Sequence, residues 1–148
     1  MTTSNHALVG SLIALSLKQP ALVIPLAFVS HYILDVLPHF GNTNPSLDAH
    51  QKFRKHLFVE VLGLVGLILL IATGIYGWNL VTIAAIIATL PDIEWPLRYI
   101  FFTAKGEKPR DTLTSRLHKR IQWCEREWGL IVEIIFFAAG YALLISMT

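Results

Sequence analysis

Ala21-Leu22-Val23-Ile24-Pro25-Leu26-Ala27-Phe28-Val29-Ser30-His31-Tyr32-Ile33-Leu34-Asp35-Val36-Leu37-Pro38 is a nearly unbroken apolar run with a histidine and an aspartate close to its end. Helical spacing puts His31 and Asp35 at i and i+4, so both project from one face. An imidazole and a carboxylate placed this way can share one divalent metal ion. Ionisable groups in an apolar helix are expensive inside a membrane and are kept when they have partners or a task. The plainer alternative is a His–Asp hydrogen bond that ties two helices together. Pro25 predicts a bend or local adjustment, and Pro38 stops the helix.

The composition around this run sets the class. Of 148 residues, 54% are hydrophobic and only 15% charged, more apolar surface than a soluble domain of this size hides comfortably. The chain is expected to be all-α, a single membrane-embedded domain over 1–148. The single cysteine, Cys124, has no partner for an internal disulfide or a cysteine zinc site. The start of the chain shows neither a basic n-region nor a small-residue cleavage pattern, so no removable signal peptide is expected. Net charge is +2, with no nucleic-acid signature.

Five apolar segments follow one another, predicting a bundle of four to five apolar helices plus a cytoplasmic amphipathic helix. The first, residues 7–17, would be only ~17 Å long and too short for ~30 Å of hydrocarbon, so it is expected to pack beside the second. Thr3 or Ser4 offers its cap, and Lys18-Gln19-Pro20 a tight turn. The second segment covers 21–37, and a polar loop over 41–55 holds the turn formers Asn42, Asn44 and Pro45. The third covers 56–76. Trp78 in the next turn suits a membrane interface. The fourth starts near Leu80 and is interrupted by Pro91 and Pro96, and the last covers 128–147. Between these two, the basic stretch after Pro109 predicts an amphipathic surface helix over 110–126, with Leu113, Leu117, Ile121 and Cys124 on its apolar side.

Eleven of the twelve lysines and arginines fall in 41–55 or 98–126, and only Lys18 lies opposite. The positive-inside rule places both basic regions, and with them the N-terminus, in the cytoplasm. The expected location is therefore an integral protein of a bacterial-type inner (plasma) membrane.

Depth then brings residues together. His6 and His31 each lie about a dozen residues from the Lys18–Pro20 turn, so an antiparallel hairpin makes them level. Asp92 follows Pro91 within an apolar stretch and sits toward the same end. His6, His31, Asp35 and Asp92 are thus the expected metal ligands, a good N/O set for zinc or a similar divalent ion. Glu60, Glu94 and His118 are the reserves for catalysis, as a further ligand, a supporting partner or a general base, with His56 beside them. Each has a plainer role as an interfacial or solvated group. Glu133, flanked by apolar residues in the last span, is expected to pair with a histidine or basic residue in the bundle or to support a ligand from behind.

Thr2-x-x-x-His6-x-x-x-Gly10, Ser30-His31-x-x-x-Asp35 and Leu90-Pro91-Asp92-Ile93 together resemble the membrane-bound metal-dependent hydrolase family (YdjM-like), itself more distantly similar to zinc-dependent phospholipases C. The resemblance covers scattered motifs in the N-terminal two-thirds. It implies a multi-helix inner-membrane protein with a His/Asp metal site and hydrolase activity, and carries metal binding over to His6, His31, Asp35 and Asp92. The family's His-Arg-Gly-x-Thr-His-Ser signature is absent, and Leu-Pro-Asp here follows the Ser-His-x-x-x-Asp element.

Two function classes emerge. One is a metal-dependent hydrolase at the cytoplasmic membrane face, acting on a phosphoester or lipid-like, amphiphilic substrate. The other is a non-enzymatic membrane protein whose buried His/Asp network, with or without a structural metal, organises helices or a partner. A transporter is weaker, because so short a chain needs homo-oligomerisation to form a path.

Overall fold

The computed structural model describes residues 1–77, 79–108 and 111–148. The expectations placed on Trp78, Pro109 and Arg110 lie outside the described residues. Helix α1 spans Thr3–Leu17, four residues longer at its start than the apolar pattern indicates. It ends at Lys18, whose positive φ of 56° turns the chain while its N–H reaches the Ala14 carbonyl. Helix α2, Pro20–Val36, opens with proline at its first position and continues through Pro25.

After α2, strand β1 (His39–Phe40) precedes helix α3, Ala49–Ala72. This helix begins inside the expected polar loop. Asp48 accepts the Gln51 N–H at 2.8 Å while Gln51 Oε1 accepts the Asp48 N–H at 3.0 Å, a reciprocal cap that lets seven loop residues join the helix. Helix α4, Leu80–Thr89, is capped by Asn79 and passes through a 3₁₀ turn, Leu90–Ile93, into α5, Glu94–Phe101.

The amphipathic helix expected over 110–126 is shorter. Helix α6 covers Leu113–Ile121, started by the Thr112–Ser115 capping box. A 3₁₀ turn, Gln122–Cys124, then leads into strand β2, Glu125–Arg126, which pairs in parallel with β1. The register is His39 with Glu125 and Phe40 with Arg126, a long-range pairing with no local sequence signal. Nor is the apolar stripe one buried face: Leu113 is 78% exposed, whereas Ser115 is buried and α6 packs on α2. Helix α7, Gly129–Met147, follows. A Cβ at Gly129 would lie 2.1 Å from the His39 carbonyl, so the strand pair seats directly on the start of α7.

The short first helix is not merely beside α2. It lies at the centre, packed most extensively on α4 and then on α2, α7 and α3. Enclosure by its neighbours removes the need for α1 to span anything. Small residues make that possible. Gly10 approaches so closely that a Cβ there would sit 2.5 Å from the Ala84 carbonyl oxygen, and Ala14, Ala27, Ala84 and Ala88 complete the close-packed seam. A second cluster joins Ala7, Leu8, Leu70, Ala85 and Leu144.

Among the described residues, three stretches are long and apolar enough to cross a membrane: Ala49–Ala72, Leu80–Lys105 and Gly129–Met147. At 17 residues, α2 is about 26 Å long and falls short of that length. Phe58, Ile68, Ile71, Ile131 and Ile135 point outward from α3 and α7, each more than three-fifths exposed. Such an outer surface suits hydrocarbon rather than water.

Candidate metal centre

The antiparallel α1–α2 hairpin makes His6 and His31 level, and their rings stack with centroids 4.0 Å apart. Asp35 stands one turn beyond His31 on α2. Asp92 arrives from the 3₁₀ turn after α4, where Pro91 breaks the helical ladder. His6, His31 and Asp35 are fully enclosed, and the Asp92 side chain is 15% exposed.

His6 Nε2 lies 3.4 Å from Asp35 Oδ1 and 3.5 Å from Asp92 Oδ2. His31 Nε2 lies 3.4 Å from Asp35 Oδ2 and 3.6 Å from Asp92 Oδ1. One ligand atom from each of the four residues falls within 4.8 Å of all the others. These separations are long for hydrogen bonds. They are close to the spacing, about 3.3 Å, of atoms that each sit 2.0–2.1 Å from one tetrahedral ion. Both nitrogens of His6 and Oδ2 of Asp92 are buried without a hydrogen-bond partner. Buried polar atoms rarely go unpaired, so the donor set fits a cation placed between them. The four residues form a group able to hold a metal ion.

The protonation of His31 follows from its other nitrogen. Nδ1 lies 2.9 Å from the Ala88 carbonyl, which can only accept, so Nδ1 carries the hydrogen. Nε2 then presents its lone pair to the carboxylates, the orientation a metal ligand needs.

The structure adds His118 to this group. Its Nε2 lies 3.0 Å from His31 Nε2 and 3.3 Å from Asp35 Oδ2. Burial works against its positive charge, but the Asp35 carboxylate outweighs this and raises its pKa above the ordinary histidine value. Gln122, one turn further along, donates Nε2–H to Asp35 Oδ2 at 3.4 Å. Gln122 was not foreseen from sequence, although its i+4 spacing from His118 was a usable signal. The Met1 amino group lies 2.6 Å from Asp35 Oδ1.

The other two reserves are held elsewhere. Glu60 Oε2 accepts the Thr3 N–H at 3.2 Å, and His56 stands 4.0 Å from its Oε1. Glu94 Oε1 accepts from Arg98 at 3.0 Å and from the Thr112 hydroxyl, joining α5 to the start of α6. Glu133 accepts the backbone N–H of Thr2 (2.6 Å) and of Phe40 (2.8 Å), and so pins the chain just before His6. His39 donates Nδ1–H to the Leu37 carbonyl at 2.7 Å.

Three cavities border Asp92 and Trp95. One, of about 290 Å³, is lined by Met1, His39, Lys52, His56, Gln122 and Glu125, and the other two flank the α4–α5 arm. Of these, one is a polar cleft of about 200 Å³ lined by Glu94, Arg98, Ser115, His118, Lys119 and Gln122. The other is a largely apolar slot of about 470 Å³ between α3 and the α4–α5 arm. Comparisons with family models, with curated proteins and with solved structures find no match to this chain.

Proposed function

We propose that the chain is a metal-dependent hydrolase of the membrane's cytoplasmic face, using zinc or a similar divalent ion held by His6, His31, Asp35 and Asp92. The observation that carries this reading is the spacing of four donor atoms, one from each residue and drawn from three elements, one of them on a histidine neither of whose nitrogens has a hydrogen-bond partner. When bound, such an ion supplies Lewis-acid polarisation and a nucleophile at neutral pH. His118 stands where the quartet meets the polar cleft and is the side chain placed to move a proton to or from a bound substrate. Arg98 and Lys119 border the same cleft, held by Glu94 at 3.0 Å and Asp111 at 2.6 Å, and their remaining donors can meet an anionic group, which makes a phosphoester our proposed substrate class. The resemblance to the membrane-bound metal-dependent hydrolases points the same way.

One observation favours a non-enzymatic network instead. Asp35 has the Met1 amino group and Gln122 as partners, contacts that hold α1, α2 and the turn after α6 together without an ion. Metal analysis of purified protein decides between them. Wild-type protein and His50→Ala, whose histidine contacts Tyr99 in an exposed position, are expected to retain about one ion per chain. His31→Ala and Asp35→Ala are expected to retain none. A metal-free wild-type protein that folds normally would leave the structural network as the reading.

A further inference from the structure

We infer that the slot between α3 and the α4–α5 arm seats one hydrocarbon chain of a phosphate-headed lipid drawn sideways from the cytoplasmic leaflet. The destination of the head group, in the polar cleft, rests on the hydrolase reading. The seat of the chain does not.

The slot exists because α3 and α4 both pack on α1 but make no extensive contact with each other. Leu57, Val61 and Leu64 form one wall and Ile86, Leu90 and Ile93 the other. All six side chains are between 44% and 57% exposed. In a bilayer an open channel with apolar walls fills with hydrocarbon, because an empty one forfeits dispersion contacts along its whole length. Its dimensions select the occupant. Ten residues of α3 separate Leu57 from Leu67 along the slot, a rise of about 15 Å, half of a ~30 Å hydrocarbon core. That matches a chain belonging to one leaflet. The volume of about 470 Å³ lies within the range of small-ligand sites.

Chemistry at the inner end sets the direction. Glu60, Thr3 and Asp92 are there, and Asp92 and Trp95 also border the polar cleft. A molecule with its chain in the slot therefore has its polar end at Asp92, beside Arg98, His118 and Lys119. A second copy of this chain offers no such match, because a helix about 10 Å wide cannot follow the chain path into a cleft of about 200 Å³.

The test uses wild-type protein in phosphatidylcholine vesicles containing phosphatidic acid with a photoactivatable group midway along one chain. After illumination, the labelled residues are mapped by mass spectrometry, and metal content is measured on the same preparation. Val61, Leu64 and Ile86 are expected to be labelled several-fold more than Ile68 and Ile71, which face outward from α3. In Leu64→Trp, which fills the slot, the excess at Val61 and Ile86 should disappear while the metal remains. Even labelling around α3, or cross-linking of Leu64→Cys into a disulfide dimer, would overturn the slot. Slot labelling without metal would keep the slot and remove the hydrolase reading, and metal with even labelling would do the reverse.

Discussion

The Ala88 carbonyl controls the chemistry of His31, and a neighbouring residue explains why that carbonyl is free to do so. In a 3₁₀ turn the donor reaching a carbonyl is three residues on, which for Ala88 is Pro91, a residue with no N–H. The same proline that delivers Asp92 therefore leaves an acceptor for His31 Nδ1. Pro91→Ala supplies a competing backbone donor while leaving all four ligands in place. Its metal affinity is expected to fall about 10–100-fold, the usual effect of disturbing a group behind a ligand, and isothermal titration with zinc measures it. His31 and Asp35 were legible from sequence because i,i+4 geometry is local. His6 was legible because a tight turn fixes the register of a hairpin. The place of His118 was not, since α6 reaches α2 only after the chain returns through the β1–β2 pair.

Among the elements, α1 departs furthest from its sequence reading. Its length was read correctly as too short to span, but its place at the centre depends on Ser4, Ala7, Gly10, Ser11 and Ala14, which an apolar-run reading treats as background. The informative signal was residue size, not hydropathy, because small side chains let two helix backbones meet. Gly10→Val should separate α1 from α4, costing about 1–3 kcal/mol, and should weaken metal binding by parting His6 from Asp92. Thermal unfolding in detergent with and without zinc reads both effects. An unchanged melting temperature would show that the α1–α4 seam yields freely. Glu133 works at the same scale, since one carboxylate fastens both the start of α1 and β1 to α7.

For the whole molecule, charge placement, apolar segments and the outward apolar surface carry the membrane assignment, and the first two were plain in the sequence. The three spans and the one-sided basic regions give the orientation we propose, with the N-terminus cytoplasmic. A cysteine at Asn44 in a Cys124→Ser background is expected to resist a membrane-impermeant maleimide added to intact cells and to react after lysis. Labelling before lysis would reverse the orientation. The central position of α1 also bears on synthesis. It is made before its enclosing neighbours α4 and α7. Until they arrive, His6, His31 and Asp35 face lipid or the interface with few of their final partners, and buried polar groups without partners are costly there. The α1–α2 hairpin thus acquires the partners that bury its ionisable groups only when α4 and α7 close over it.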